Sequence, residues 1–457
     1  MSKKNGFVIF IFLLMQNGQA QGFTDTLVSL KGTLQLTEQR YPLLKAKKLE
    51  SDAGVKNVDV IKYSRLPTID ASYQANISTA NNLTGQFYPY GILPMTGPPS
   101  LSNNYSPATG SAAAVLLNWQ AVTFGQRDAQ INLSAAEGSI KTAAWKQELF
   151  NQQLNVISKY LDVLLAYDVV TIRQNNLLRV KENLRQSIEL ANSGIKPGVD
   201  SALFLSELSK AKIDLLNGGK DLQSEQWLLA QLIVTDALPV PADTLFLRQL
   251  PSLATNADTA TTVHPALLYA EKQFEFNKSK ELLLKKSYLP KLNVWGTAFA
   301  RGSGFEPNGS IKAFDGLALS RYNYGAGVQL SFPIMKYGEV KRQLQEQTLL
   351  SQAAQERMDD TKNTLTTQQR IANTTYNSSI AVATESQQQL KSAQYAFHAM
   401  QIRYNTGLVN YADLIQAQYD LLKAELDIKK AYWDAWKALL LQAAVRGDIN
   451  IFMQQIR

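Results

Sequence analysis

The chain of 457 residues contains no cysteine. That removes disulfides, thiolate metal sites, cysteine nucleophiles and any lipid anchor attached through sulfur. Histidine is nearly as scarce: there are two, His264 and His398. One precedes a proline at a predicted helix start and the other lies on a long helical stretch, so neither has a second ligand at metal-binding spacing. Basic blocks and aromatic-basic clusters are missing too, so the net charge of +8 reads as solvated helix faces, with no nucleic-acid surface. After the N-terminus no apolar run approaches the roughly 18 residues that a membrane-spanning helix needs. Convergent catalytic groups are lacking. Gly302-Ser303-Gly304 has no strand-then-helix setting for a phosphate loop. Asp359 and Asp360 are neighbours on a helix and point about 100° apart. These absences argue against an enzyme and call for no catalytic residue, cofactor or metal.

What is present starts with Lys3 and Lys4, an apolar run over 7–15, and a polar stretch ending Gly18-Gln19-Ala20. This order of parts is that of a secretory signal peptide cleaved after Ala20, so residues 1–20 are read as an export signal. If the mature protein enters a membrane, it does so with strands.

The mature chain is duplicated. Pro67 lies 25 residues after Pro42, and Pro290 lies 25 after Pro265. Gly194 follows Gly125 by 69 residues, Gly407 follows Gly338 by 69, and Asp200 and Asp413 each stand six residues beyond their glycine. The offset between copies is 223 residues for the first pair of landmarks and 213 for the later ones, a single ten-residue length change. It falls in loops rich in Gly, Pro and Asn. The domain reading is a first structural repeat at 21–235, a linker at 236–263, a second repeat at 264–447 and a C-terminal tail at 448–457.

Each repeat opens with one predicted helix, from Pro42 to Pro67 and from Pro265 to Pro290. Residues 68–78 then alternate, with Ile69, Ala71, Tyr73, Ala75 and Ile77 on one face, as in a period-two strand. Residues 322–332 alternate as cleanly and are taken as its counterpart in the second copy; 112–119 and 292–300 are less regular. Strands of this length suit a tilted membrane crossing of about 9 to 11 residues. Four strands cannot close a barrel, since the smallest have about eight, so several chains would have to share one. From Gly125 to Gly194 and from Gly338 to Gly407 no proline occurs, so each stretch predicts a helix roughly 100 Å long. In the second, a heptad-like stripe links Val340, Leu344, Ala354, Met358, Leu365, Ala372, Val382, Ala393, Ala396 and Met400. The fold class is mainly α with a membrane β-barrel contribution, in two duplicated halves.

These features resemble the TolC-like outer-membrane efflux protein family over almost the whole mature chain. The likeness rests on the Pro-x24-Pro helix, the strand pairs, SFPIMKYG, and above all RYNTGLVNYADLIQAQ with its weaker copy ANSGIKPGVDSALFLSE. The resemblance implies a homotrimer whose chains each give four strands to one barrel in the outer membrane lipid. It implies long helical hairpins forming a tunnel across the periplasm, and a small equatorial domain including 236–263. It also implies docking onto a periplasmic adaptor (membrane fusion) protein and an inner-membrane pump, as the exit duct of an efflux or type I secretion system. No cysteine follows the signal, so the barrel alone is expected to anchor the chain. The competing class is a secreted coiled-coil scaffold or adhesin with a soluble sheet.

In that family the glycine turns are periplasmic tips where the tunnel closes, which assigns Gly194 and Gly407 as tip turns. Tyr404 and Asp413 match the family's gate, and Asp200 matches the aspartate of the other hairpin. Two positions depart: Val409 stands where the family has an arginine, and Gln416 where it has a second aspartate. Lys196, equivalent to Val409 in the other repeat, supplies a cation there and is a candidate partner for Asp413. The local expectation is that each glycine permits a left-handed helix end and each aspartate caps the following helix.

Overall fold

The computed structural model describes residues 26–82, 99–195, 197–252, 263–306, 308 and 310–455. The signal-peptide assignment lies outside these residues. Elements follow the chain as β1 (Thr26–Val28), α1 (Leu30–Arg40), α2 (Pro42–Lys62), β2 (Thr68–Ser78), β3 (Ala108–Val122), α3 (Gln126–Asn192), α4 (Gly198–Ile233) and β4 (Pro239–Pro241). They continue with α5 (Pro265–Ser287), β5 (Lys291–Ser303), β6 (Arg321–Ser331), α6 (Lys336–Asn405), α7 (Tyr411–Arg446) and α8 (Asn450–Met453). No described helix is long and apolar enough to cross a membrane.

Two compact units divide the chain. One comprises Ala46–Glu148 and Val263–Thr366, the other Met1–Lys45, Leu149–Thr262 and Thr367–Arg457. The first holds an antiparallel sheet of four strands in the order β2-β3-β5-β6. Duplication is visible in its register. In the first hairpin Thr68 pairs with Asn118; in the second Lys291 pairs with Ser331, each residue displaced by its own repeat offset. The second-copy counterpart of β2 is therefore β5, which also follows the repeat's proline, and not 322–332; the latter corresponds to β3. The regular alternation shared by β2 and β6 reflects their place at the two sheet edges.

β3 and β5 run to 15 and 13 residues, longer than their expected spans. Most of their extra residues at the loop end are Ala, Gly, Ser and Thr, which carry no period-two signal. They are held by the chain after β5, which folds back on the strand ends: Ser111 donates to the Gly316 carbonyl (2.6 Å) and Thr109 to that of Ala313 (2.7 Å). Gly316 can make this approach only without a Cβ, which would sit 1.7 Å from the Thr109 carbonyl oxygen.

Register sorts the side chains into two faces. Ile69, Tyr73, Val115, Leu117, Ala298, Tyr324, Val328 and Leu330 share one; Asp70, Gln74, Asn76, Asn118, Arg301, Asn323 and Gln329 share the other. Large apolar side chains of the first face, Ile69, Tyr73, Ile77, Tyr324 and Val328 among them, are exposed. A contiguous exposed apolar sheet face marks a surface made for lipid or another protein.

The opening helix of the first repeat ends earlier than expected, at Lys62, and a single 3-10 turn over Tyr63–Arg65 carries the chain to Pro67, because a residue before proline avoids helical backbone. Its counterpart α5 starts on Pro265 with His264 as N-cap, whose Nδ1 accepts from the Ala266 amide (3.1 Å). That is a structural role for the histidine.

The buried line along α6 starts on the expected stripe at Val340 and Ala354, but Val382 is 57% exposed and Ala396 is exposed. Ala383 and Phe397 are buried instead. Helix geometry explains the shift: 3.6 residues per turn drift about 20° per heptad against a 3.5 repeat, and five heptads accumulate about one residue. Val382 and Ala396 hand over to their C-terminal neighbours, while Ala393 and Met400 stay partly buried. Gly338 lies within the first turn of α6, which begins at Lys336.

The second unit has its main core where three distant segments meet α3 and α7: β1 with the start of α1, the 236–252 stretch, and α8. β4 pairs in parallel with β1. Asp243 fastens this assembly, its carboxylate accepting from the Leu30 amide at the N-terminus of α1 (2.8 Å) and from the Tyr160 hydroxyl (2.8 Å). Phe246, Trp436 and Phe452 pack beside it, with Phe452 fully buried. The segment read as a linker and the one read as a tail thus both contribute buried residues.

The helix ends of the repeats differ in one residue. α7 closes on Gly447 (φ 70°), and α4 closes at the equivalent position on Val234 (φ 54°). Left-handed backbone costs a non-glycine residue about 1–2 kcal/mol, partly offset by glycine's greater unfolded freedom. Val234 is 46% exposed, so little packing is at stake. Val234→Gly is expected to stabilise this unit by about 0.5–1 kcal/mol, seen as a rise in melting temperature; a fall would show that the valine side chain matters more than its backbone.

Candidate functional site

Both glycine turns are Schellman ends, in which glycine at positive φ lets the last carbonyls of the helix be capped by the chain beyond it. At the first, Gly194 (φ 70°) donates to the Ala191 carbonyl and Ile195 to that of Leu190, each at 3.0 Å. At the second, Gly407 (φ 79°) donates to Tyr404 (3.0 Å) and Leu408 to Arg403 (2.9 Å). α4 and α7 then restart at equivalent positions and run 36 residues each.

The two aspartates sit at the third position of these helices and not at the N-cap, where capping was expected of them. In α7 the N-cap is Asn410, whose side chain accepts from the Asp413 amide (2.9 Å) while Asp413 accepts from the Asn410 amide (3.4 Å), a capping box. In α4 the N-cap is Pro197, which has no side-chain acceptor and no amide hydrogen to donate. Asp200 is thereby released from a capping box and turns inward. It is buried, and its Oδ2 accepts from the Tyr404 hydroxyl at 3.1 Å. One column of the repeat thus does two jobs, an exposed cap at Asp413 and a buried acceptor at Asp200.

Tyr404 is fully buried, edge-on to Phe204 (5.9 Å between centroids), which is itself edge-on to Tyr411 (4.7 Å). Leu414, Ile415 and Leu421 complete this cluster, with Val409 and Met400 packed against it. Burial raises the Tyr404 hydroxyl to about 12; hydrogen bonding from Ser187 opposes this, and the Asp200 carboxylate adds to it. Further from the turns, α3 and α7 are joined by a partly buried two-pronged ion pair between Arg179 and Glu425 (2.9 and 2.6 Å) and by a buried Asn183-to-Gln418 hydrogen bond (2.7 Å). Lys196 lies outside the described residues. Gln416 donates within its own helix to Asp420 (3.0 Å).

Residues 260–439 match the family described as outer membrane efflux protein. No curated protein matches the chain by sequence. Solved structures do: CusC, with a TM-score of 0.75 at 13% identity over 93% of each chain; the Campylobacter jejuni CmeC outer membrane channel, 0.72 at 14% over 92% of this chain and 85% of that one; and the Neisseria gonorrhoeae MtrE outer membrane channel, 0.70 at 16% over 92% and 89%. At these identities the likeness is one of fold, and it spans both repeats.

The structure brings Tyr404 and Asp200 together and leaves Asp413 on the helix start beyond. Sequence reasoning missed Phe204, Tyr411, Arg179 and Glu425. The only available signal was that Phe204 and Tyr411 flank the two aspartates, each within four residues. Arg179 and Glu425 sit among polar helical positions that look the same as solvated ones.

Proposed function

We propose that three copies of this chain close one shared barrel in the outer membrane and that their helices form an exit duct for efflux or type I secretion, working with a periplasmic adaptor and an inner-membrane pump. The observation that carries this reading is the head-to-tail order of the sheet. β3 of the first repeat pairs with β5 of the second. By repeat equivalence β6 is a second β3, and β2 is a second β5. The edge β6 of one copy therefore fits the edge β2 of the next in the register already seen at the β3–β5 seam, and a heterologous contact of this kind closes into a ring. Left open in lipid, the edges would strand backbone donors and acceptors at several kcal/mol each.

The turns at Gly194 and Gly407 form the periplasmic tip in this reading. Tyr404 and Asp200 hold the two hairpins of one chain together there, and Lys196 supplies the cation for Asp413. Opening on docking requires these hairpins to part.

The seam register gives a specific test. Val115 pairs with Ala298; the equivalent pair between copies is Val328 with Ala75. Opposed residues of an antiparallel pair lie about 4.5–5.5 Å apart at Cα, within disulfide range, and the natural chain has no cysteine to compete. Ala75→Cys/Val328→Cys is expected to give a covalent three-chain species on oxidation, released by reductant. Pairing Ala75→Cys with Asn323→Cys, on the opposite face, should give none. Membrane-inserted protein that stays monomeric after oxidation of the first pair would rule out the shared barrel.

A further inference from the structure

The polar face of the sheet carries two arginines at its loop end, with Lys291 at the opposite end of β5. Arg301 and Arg321 are direct cross-strand partners, the last pair of the β5–β6 ladder before the loop. Like charges placed opposite one another weaken a sheet, so this pair is a cost that nothing in the ladder requires. The acids nearby do not relieve it. Glu306 and Asp315 both pair with Lys312, at 3.1 and 3.8 Å. No described carboxylate makes an ion pair with either arginine, and the undescribed stretch 83–98 contains no charged residue.

Arg301 lines an open cleft of about 940 Å³ together with Gln74, Asn76, Ser303, Asn308 and Glu306, whose carboxylate is taken up by Lys312. Gln74, Asn76, Ser303 and Asn308 are neutral donors and acceptors. Asp70, the only acid on this face of β2, lies at the opposite end of the strand, eight residues from Ser78 at the loop end.

We infer that Arg301 and Arg321 make the exit of the duct selective for anions, so that the transported solutes include organic or inorganic anions. The inference rests on the shared-barrel reading, in which the polar face becomes the lumen and the arginine pairs of all copies form one ring. Clefts with an excess of one sign of charge concentrate the opposite ion, and a potential of about one kT enriches monovalent anions over cations by about sevenfold. Screening shortens the reach of such a ring to about 10 Å at 0.1 M salt, so the preference should be strongest in dilute electrolyte.

The test is the reversal potential of the purified protein in planar bilayers across a potassium chloride gradient, at low ionic strength. Wild type is expected to prefer chloride about severalfold. Arg301→Gln/Arg321→Gln should bring the permeability ratio close to one, while Arg301→Lys/Arg321→Lys keeps the charge and the preference. A cation-selective wild type, or an unchanged ratio in the double glutamine variant, overturns the inference and leaves the duct intact. Protein that inserts as a trimer but passes no current overturns the duct reading, and this inference with it.

Discussion

Tyr404→Phe is expected to raise the leak conductance of the closed duct by roughly tenfold or more. The tyrosine hydroxyl bonds the Asp200 carboxylate across from one hairpin to the other, and hydrogen bonds to charged groups contribute about 1.5–3 kcal/mol. Losing the lower figure shifts a closed-to-open equilibrium by about a factor of ten. Phenylalanine keeps the edge-on contact with Phe204, so packing is conserved and only the bond is removed. The same bond predicts a pH dependence. Tyr404 titrates near 12 in the folded protein, above its ordinary value of 10.0. A raised pKa means that its contribution is complete below pH 10 and is lost as pH climbs through 12. Wild type should therefore leak increasingly across that window, and Tyr404→Phe should lose this tyrosine's part of the rise; Tyr411, also held near 12 by burial, would remain. Single-channel recording measures both effects. A Tyr404→Phe channel as tight as wild type at neutral pH would mean that the hairpins are held elsewhere.

That pairing shows how far the sequence could be read. Landmarks with local physical causes were legible: prolines that start helices, glycines that end them, and the alternation of β2 and β6, whose side chains are large enough to show a period. The repeat offsets contain the register of the hairpins, but the alternation of 322–332 points to β2 and not, as the offset does, to β3. β3 was legible only in part, since Ala112, Ala113 and Ala114 look alike on either face. The division of labour between Asp200 and Asp413 was out of reach for another reason. Both sit six residues after a glycine, and what separates them is the N-cap, Pro197 or Asn410, read together with a tyrosine more than 200 residues away.

Long helices hide their contacts in a further way. Gln418 and Asn183 are buried partners, yet each sits among the Gln, Asn and Lys that cover solvated faces everywhere in the chain. The α6 stripe is legible at its start and then misleads, because a one-residue handover after five heptads turns Val382 outward and Ala383 inward. A fixed repeat extrapolated over 70 residues fails through geometry alone.

Phe452→Ala is expected to destabilise the second unit by about 3–5 kcal/mol, the usual cost of truncating a buried phenylalanine. Its ring stacks on Phe246 (5.9 Å, 16° between planes) and meets Trp436 edge-on (5.6 Å, 67°). Phe246 in turn meets Trp436 at 4.8 Å and Tyr160 at 6.4 Å, and the Trp436 indole donates to the Gln249 carbonyl (3.0 Å). Phe452 thus lies where residues from α3, α7 and the 236–252 stretch converge, so the cavity left by alanine would loosen all three. Aromatic pairs of this kind add about 0.5–1.5 kcal/mol beyond area, so Phe452→Leu should recover most but not all of the loss. Limited proteolysis reads the effect directly: cleavage within 243–252 should accelerate in Phe452→Ala and stay slow in Phe332→Ala, whose side chain is 60% exposed. Equal cleavage rates for wild type and Phe452→Ala would mean that Asp243 and Tyr160 fasten this stretch without the aromatic cluster.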